Sequence, residues 1–117
     1  MSAFFSSDPY VPDNLIAGNA SLLKGQKITV LSGQNLARGA VIGKDGSNKY
    51  LLSASAATDG SQTPDLVLAE AVDASAGDAV GLAYERGDFQ GASLVLGTGH
   101  TLDSIREGLR VKGIFIV

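Results

Sequence analysis

Residues 58–89, TDGSQTPDLVLAEAVDASAGDAVGLAYERGDF, constrain the fold more than any other part of this chain. Short β-prone apolar runs are broken there by Gly, Pro, Asp and Ser, the residues that reverse a backbone. The stretch contains no Cys or His and no nucleophile set beside a base, so its pattern is that of a scaffold. The same texture runs through the rest of the sequence. Fifteen Gly against three Pro fit many tight turns and bulges, and with no Trp the core falls to Leu, Val, Ile and Ala. A chain of 117 residues makes one domain, in which folding buries roughly two-thirds of the unfolded surface. The expected class is mainly β.

The runs themselves give a strand map. Residues 27–33, KITVLSG, alternate and place Ile28, Val30 and Ser32 on one face. Residues 36–44, LARGAVIGK, come next. Asp45-Gly46 then predicts a tight reversal with positive φ, which sets Val41 and Ile42 opposite Tyr50 and Leu51 in a hairpin. A second Asp-Gly, at 59–60, opens a polar loop that Pro64 closes. Residues 65–74, DLVLAEAVDA, read as a strand from the alternation of Leu66 and Leu68 against Val67. Helix is the rival there, since Ala and Glu are good helix formers. Residues 79–87 and 92–97 continue the strand pattern.

One short helix is expected near the C-terminus. Thr101 can cap it, Asp103 and Glu107 lie toward its positive end, and Arg110 and Lys112 lie toward its negative end. Leu102, Ile105 and Leu109 form one apolar stripe. Gly108 weakens the helix by about 0.8–1.0 kcal/mol relative to Ala. Gly113 is a natural terminator, after which residues 114–117 read as a last strand.

Residues 1–17 differ from all of this. They lack periodicity, and Pro9 and Pro12 remove backbone donors. Such a segment cannot bury enough of its own surface to offset the entropy of ordering it. Yet Phe4, Phe5 and Tyr10 are three of the seven aromatics in the chain. Two readings stay open: the aromatics dock on a partner, or Phe4 and Phe5 fold back onto the core. The domain plan is therefore a flexible N-terminal arm, residues 1–17, followed by a single β-rich domain, residues 18–117.

Composition removes several classes of function. With no Cys, disulfides and thiolate metal sites are excluded, which suits a reducing cytoplasm. The N-terminus has no basic segment or apolar core of a secretory signal, and no run approaches the roughly 18 apolar residues of a membrane span. Neither processing nor membrane insertion is expected. Net charge is −3, and Arg106, Arg110 and Lys112 are offset by Asp103 and Glu107, so no nucleic acid is expected as partner.

Apparent motifs fail one by one. His100 has no assignable orienting partner or nucleophile, so it is expected to hydrogen-bond a loop or helix end. GAVIGK, residues 39–44, is one residue short of a phosphate loop and carries Asp45 where Ser or Thr would hold magnesium. GTG, residues 97–99, lacks the third glycine of a dinucleotide fingerprint. Ser21 and Lys24 fit S-x-x-K without the companion motifs. Asp65, Glu70, Asp73 and Asp78 lack calcium-loop spacing and read as solvated. Arg86-Gly87-Asp88 spells an adhesion tripeptide, for which a β-turn is the expected role. No catalytic residue, metal or cofactor is expected, and no enzyme.

Five blocks carry a family likeness in order: LARGAVIGK, YLLSASAATDGSQTP, LAEAVDASAGD, YERGDF and the closing GHT…LR..GI, together covering roughly residues 25–116. The chain resembles the lambda-type head decoration proteins of tailed bacteriophages. Some relatives have Trp where this chain has none, a difference of core detail. The resemblance implies a β-clip-like small mixed domain, built on a bent two-stranded ribbon. It also implies a homotrimer on the outer surface of the expanded capsid, made in the host cytoplasm, which cements the shell against the pressure of packaged DNA. The family's arm orders on the capsid and pairs with the major capsid protein. Here that role falls to residues 1 to about 13, with Phe4, Phe5, Pro9, Tyr10 and Val11 as contacts. Two alternatives remain: a β-rich adhesion or carbohydrate-binding module using Arg86–Asp88 or Tyr84, and a small enzyme on a clip-like fold, for which the residues offer no constellation.

Overall fold

The computed structural model describes residues 15–18 and 23–117. Among them are nine strands and one α-helix. The strands are β1 (Ile16–Gly18), β2 (Lys24–Val30), β3 (Asn35–Leu36), β4 (Val41–Lys44), β5 (Tyr50–Leu52), β6 (Leu66–Leu68), β7 (Val72–Asp73), β8 (Ala79–Phe89) and β9 (Ile114–Ile116). The helix, α1, spans Leu102–Lys112. The mainly β class with a single C-terminal helix is what the sequence led us to expect.

Strand β8 organises the molecule. Its first part pairs antiparallel with all of β2, from Val30 opposite Ala79 to Lys24 opposite Arg86. On its other side Val67 and Leu68 of β6 meet Tyr84 and Ala83. Strand β2 continues to β5, β5 to β4, and β4 to β6, so the sheet closes on β8 as a barrel-like ring. Beyond Arg86 the partners of β8 change. Gly87, Asp88 and Phe89 pair parallel with β9, and Asp88 and Phe89 pair antiparallel with β1. Gly87 sits at the handover with φ 153°, and a Cβ there would lie 2.5 Å from Leu23 Cδ2, so both conformation and space favour glycine.

Two apolar clusters fill the domain, and the wall between them is shared. Ile28, Val30, Ile42, Tyr50, Leu66, Leu68 and Ala83 lie within the ring. Leu15, Val41, Val67, Phe89, Ile105, Leu109, Ile114 and Ile116 form the second cluster, beneath α1. Neighbouring residues of β4 and β6 thus point into different clusters, which is why the whole of β6 is buried and its apolar run is unbroken. Each such Leu or Ile contributes about 1.5–3 kcal/mol on burial.

The helix forms as its signals predict. Thr101 Oγ1 accepts from the Ser104 amide at 3.1 Å, and Ser104 Oγ accepts from the Thr101 amide at 2.9 Å, a reciprocal cap. Gly113 ends it at φ 95°, in the left-handed region. Ile105 and Leu109 are buried, and Leu102 packs at the margin.

Several local expectations are corrected. The hairpin of β4 and β5 forms, but Tyr50 lies opposite Lys44 and Leu52 opposite Ile42. The reversal is a five-residue loop in which Asp45 Oδ1 accepts from the Ser47 and Lys49 amides, and positive φ falls on Asn48 rather than Gly46. Residues 65–74 are not one strand. Beyond Ala69, whose amide donates to Leu82 O, the chain bends away, and Val72 pairs with Leu36 in a separate ribbon. Residues 92–97 are not a strand either. They begin in a 3-10 turn, Gly91–Ser93, and among the described residues make a strand-like bridge only where Val95 meets Ala40. Of the segment assigned to the arm, residues 15–17 are described, and they lead into β1. Leu15 is 1% exposed and its carbonyl accepts from the Gln90 amide at 2.8 Å.

Candidate docking surface

The residues expected to contact a partner, Phe4, Phe5, Pro9, Tyr10 and Val11, lie outside the described residues. Their point of attachment is defined. Leu15 is locked into the second cluster, and β1 lies on the last residues of β8. On the opposite side of that strand end, β9 leaves Phe115 44% and Val117 65% exposed. Among the described residues β1 and β9 pair only with β8, whereas the strands of the ring are paired on both sides. The tether expected from sequence therefore starts from a rigid end of the sheet, beside exposed apolar side chains.

The apparent chemical motifs resolve into structure. His100 Nε2 lies 3.1 Å from Ser53 Oγ and 3.0 Å from the Gln62 carbonyl. A carbonyl only accepts, so this network places the proton on Nε2, and that nitrogen cannot take one from Ser53. His100 instead ties three loops together, as the sequence reading of a loop-bonding histidine had it. Gly97 serves the same junction, since a Cβ there would fall 1.9 Å from Ser53 O.

The acidic residues are scattered, and among the described residues no group of three His, Cys, Asp or Glu could hold a metal ion. Asp65 accepts from Tyr50 OH at 3.0 Å and from Lys112 Nζ at 2.8 Å. Burial, then the Asp65 hydrogen bond, pushes the Tyr50 phenol up to about 12. Asp73 bonds Ser75, which holds its carboxyl below the usual range. Asp78 is lowered by the hydrogen bond from Lys49 and by the Ser32 amide. Glu70 is exposed and has no such partner among the described residues.

The Arg86-Gly87-Asp88 tripeptide lies within β8, and the expected β-turn is absent there. Its backbone is paired into the sheet, which removes the protruding loop that an adhesive reading needs. Tyr84, the other residue of that reading, packs its ring 5.5 Å from Phe89 and beneath the Arg38 guanidinium. No helix among the described residues is long and apolar enough to cross a membrane.

Sequence reasoning missed a polar groove. Lys24 and Gln26 of β2, Glu85 and Arg86 of β8, Asp65 beside β6, and Lys112 at the end of α1 line a hollow of about 330 Å³. A second hollow of about 260 Å³ adjoins it, sharing Asp65 and Lys112 and adding Lys44. These residues are remote in the chain, and only closure of the ring and the return of α1 bring them together. No pattern in the sequence signalled them.

Compared with known proteins, residues 5–112 match the family model described as Bacteriophage lambda head decoration protein D. No curated protein matches the chain.

Proposed function

The chain belongs to the bacteriophage lambda head decoration protein D family, and from that premise we propose that it caps the outside of expanded phage heads as a homotrimer and cements them against the pressure of packaged DNA. The family match, extending over residues 5–112, carries this reading. A structural role in the virion, with the phage capsid as associate, follows from membership itself.

The finer mechanism is mechanical. An expanded shell is weakest where its capsomers meet. A trimer with three arms, each reaching the major capsid protein of a different subunit, staples such a junction. Joining three weak contacts raises avidity through effective concentration, without any single contact being tight. Residues 1 to about 13 supply the arm, with strand addition giving main-chain bonds, Phe4, Phe5 or Tyr10 acting as pocket anchors and Pro9 and Val11 as further contacts. The fixed root at Leu15 supports this, because force on the arm reaches the sheet at a point that is already buried.

Deleting residues 2–13 is expected to leave the trimer intact in light scattering and to abolish co-sedimentation with expanded capsids. Unchanged co-sedimentation would remove the arm from the mechanism.

A further inference from the structure

The chain has two Asp-Gly pairs, and we infer that the fold makes one of them, Asp45-Gly46, a site of spontaneous backbone modification to β-linked isoaspartate while protecting the other, Asp59-Gly60. The pairs are matched in sequence. Each is followed by Ser and then by a side-chain amide, Asn48 or Gln62. A large difference in their reactivity therefore comes from the structure.

The step starts from the neutral carboxyl. The Gly amide nitrogen gives up its proton and attacks Cγ of the preceding Asp, so a C–N bond forms and Oδ2 leaves as water. Water then opens the imide at the main-chain carbonyl, breaking that carbon's bond to the Gly nitrogen, and the chain runs on through Cβ. The water released is matched by the water taken up, and nothing is oxidised or reduced. As the nitrogen attacks, charge develops on Oδ1, which fixed hydrogen-bond donors favour. Both pairs supply them. Asp45 Oδ1 accepts from the Ser47 amide at 2.8 Å and the Lys49 amide at 3.0 Å, and Asp59 Oδ1 accepts from the Ser61 amide and hydroxyl.

The pairs differ in the nucleophile and in what must move. The Gly60 amide donates to Gln62 Oε1 at 2.8 Å, whereas the Gly46 amide has no acceptor among the described residues. Residues 59–63 are also pinned. Ser61 is fully buried, and a Cβ on Gly43 would fall 2.2 Å from its carbonyl oxygen. The Gln62 carbonyl is held by His100. Closing a ring at Asp59 would drag these contacts with it. The Ser61 hydroxyl, and then its amide, hold the Asp59 carboxyl below its usual range, which leaves less of the neutral acid. Gly46, Ser47 and Asn48 are exposed instead, and a Cβ on Gly46 would meet nothing closer than 4.0 Å.

The product lengthens the reversal between β4 and β5 by a backbone atom and displaces the oxygen that holds the Ser47 and Lys49 amides. Lys49 Nζ also pairs with Asp78 at 2.6 Å, so the change reaches the turn that leads into β8.

The test keeps the folded protein in neutral buffer made with heavy-oxygen water and locates the label and β-linked fragments by peptide mass spectrometry. Each imide that opens takes up a labelled oxygen. Giving up a neutral hydrogen bond slows a step roughly fivefold, so Asp45 is expected to label at least about fivefold faster than Asp59. In urea the two sites are expected to label at similar rates. Gly46→Ala, for which there is room, is expected to suppress labelling at Asp45 and leave Asp59 unchanged. Equal labelling of the folded protein at the two sites, or faster labelling at Asp59, would overturn the assignment. So would labelling at Asp45 undiminished in Gly46→Ala, which could not have passed through the imide. A difference that persists in urea would trace to the sequence and remove the fold from the explanation.

Discussion

The two parts of β8 sit in different kinds of sheet. Residues 79–86 belong to the barrel-like ring, flanked by β2 and β6, where every strand is paired on both sides. Among the described residues, 87–89 carry only the short strands β1 and β9, and the cluster beneath them is roofed by α1. Closure removes the strand edges through which a sheet can accept another chain. The open end retains them, and it is there that the N-terminal segment attaches and that Phe115 and Val117 are exposed. One strand thus supplies a body that resists association and a terminus suited to it.

The sharpest way to break that comparison is to ask whether the two regions unfold as one. Phe89→Ala opens the second cluster and is expected to cost about 3–5 kcal/mol, while Ile42→Ala opens the ring and costs about 2–5 kcal/mol. Because β4, β6 and β8 serve both clusters, each variant should show a single, shifted denaturation transition by fluorescence and circular dichroism. Two separated transitions in Phe89→Ala would make the open end an independent unit.

A smaller effect is expected at the roof alone. Thr101→Ala removes the helix cap and should cost about 1 kcal/mol. Hydrogen exchange should rise in α1 and β9 and stay constant in β2 and β5. Faster exchange throughout would mean that the cap is felt by the whole ring.

The least effect at neutral pH belongs to Tyr50, inside the ring. Its phenol is raised in the fold, to about 12, from an ordinary value near ~10. The unfolded chain therefore releases this proton first. The stability it contributes is complete below pH ~10 and is lost as pH rises toward 12. Unfolding followed across that window should show the loss, and Tyr50→Phe should abolish it. An identical alkaline profile in Tyr50→Phe would assign the titration elsewhere.

What could be read in the sequence were features set by neighbouring residues. Thr101, the apolar stripe and Gly113 define α1 without reference to anything distant, and the Asp45 region marks a hairpin whichever residue takes the positive φ. Features decided by distant partners were illegible. Residues 92–97 have strand composition, but Gly91–Ser93 turn the chain and only Val95 finds a ladder position. Residues 86–88 look like a turn, yet β1, β2 and β9 hold them in a strand. The groove assembles from β2, β6, β8 and α1, and no local pattern could have foretold it.

The change of partners along β8 at Gly87 has a mechanical consequence. Strand β1 lies antiparallel along β8, so tension applied at Leu15 in the strand direction is carried as shear, with the rungs of the ladder loaded together instead of being peeled one at a time. Past Gly87 the same load enters the long β2 ladder of the ring. A pull on the small open sheet is thereby spread over the longest ladder of the described fold.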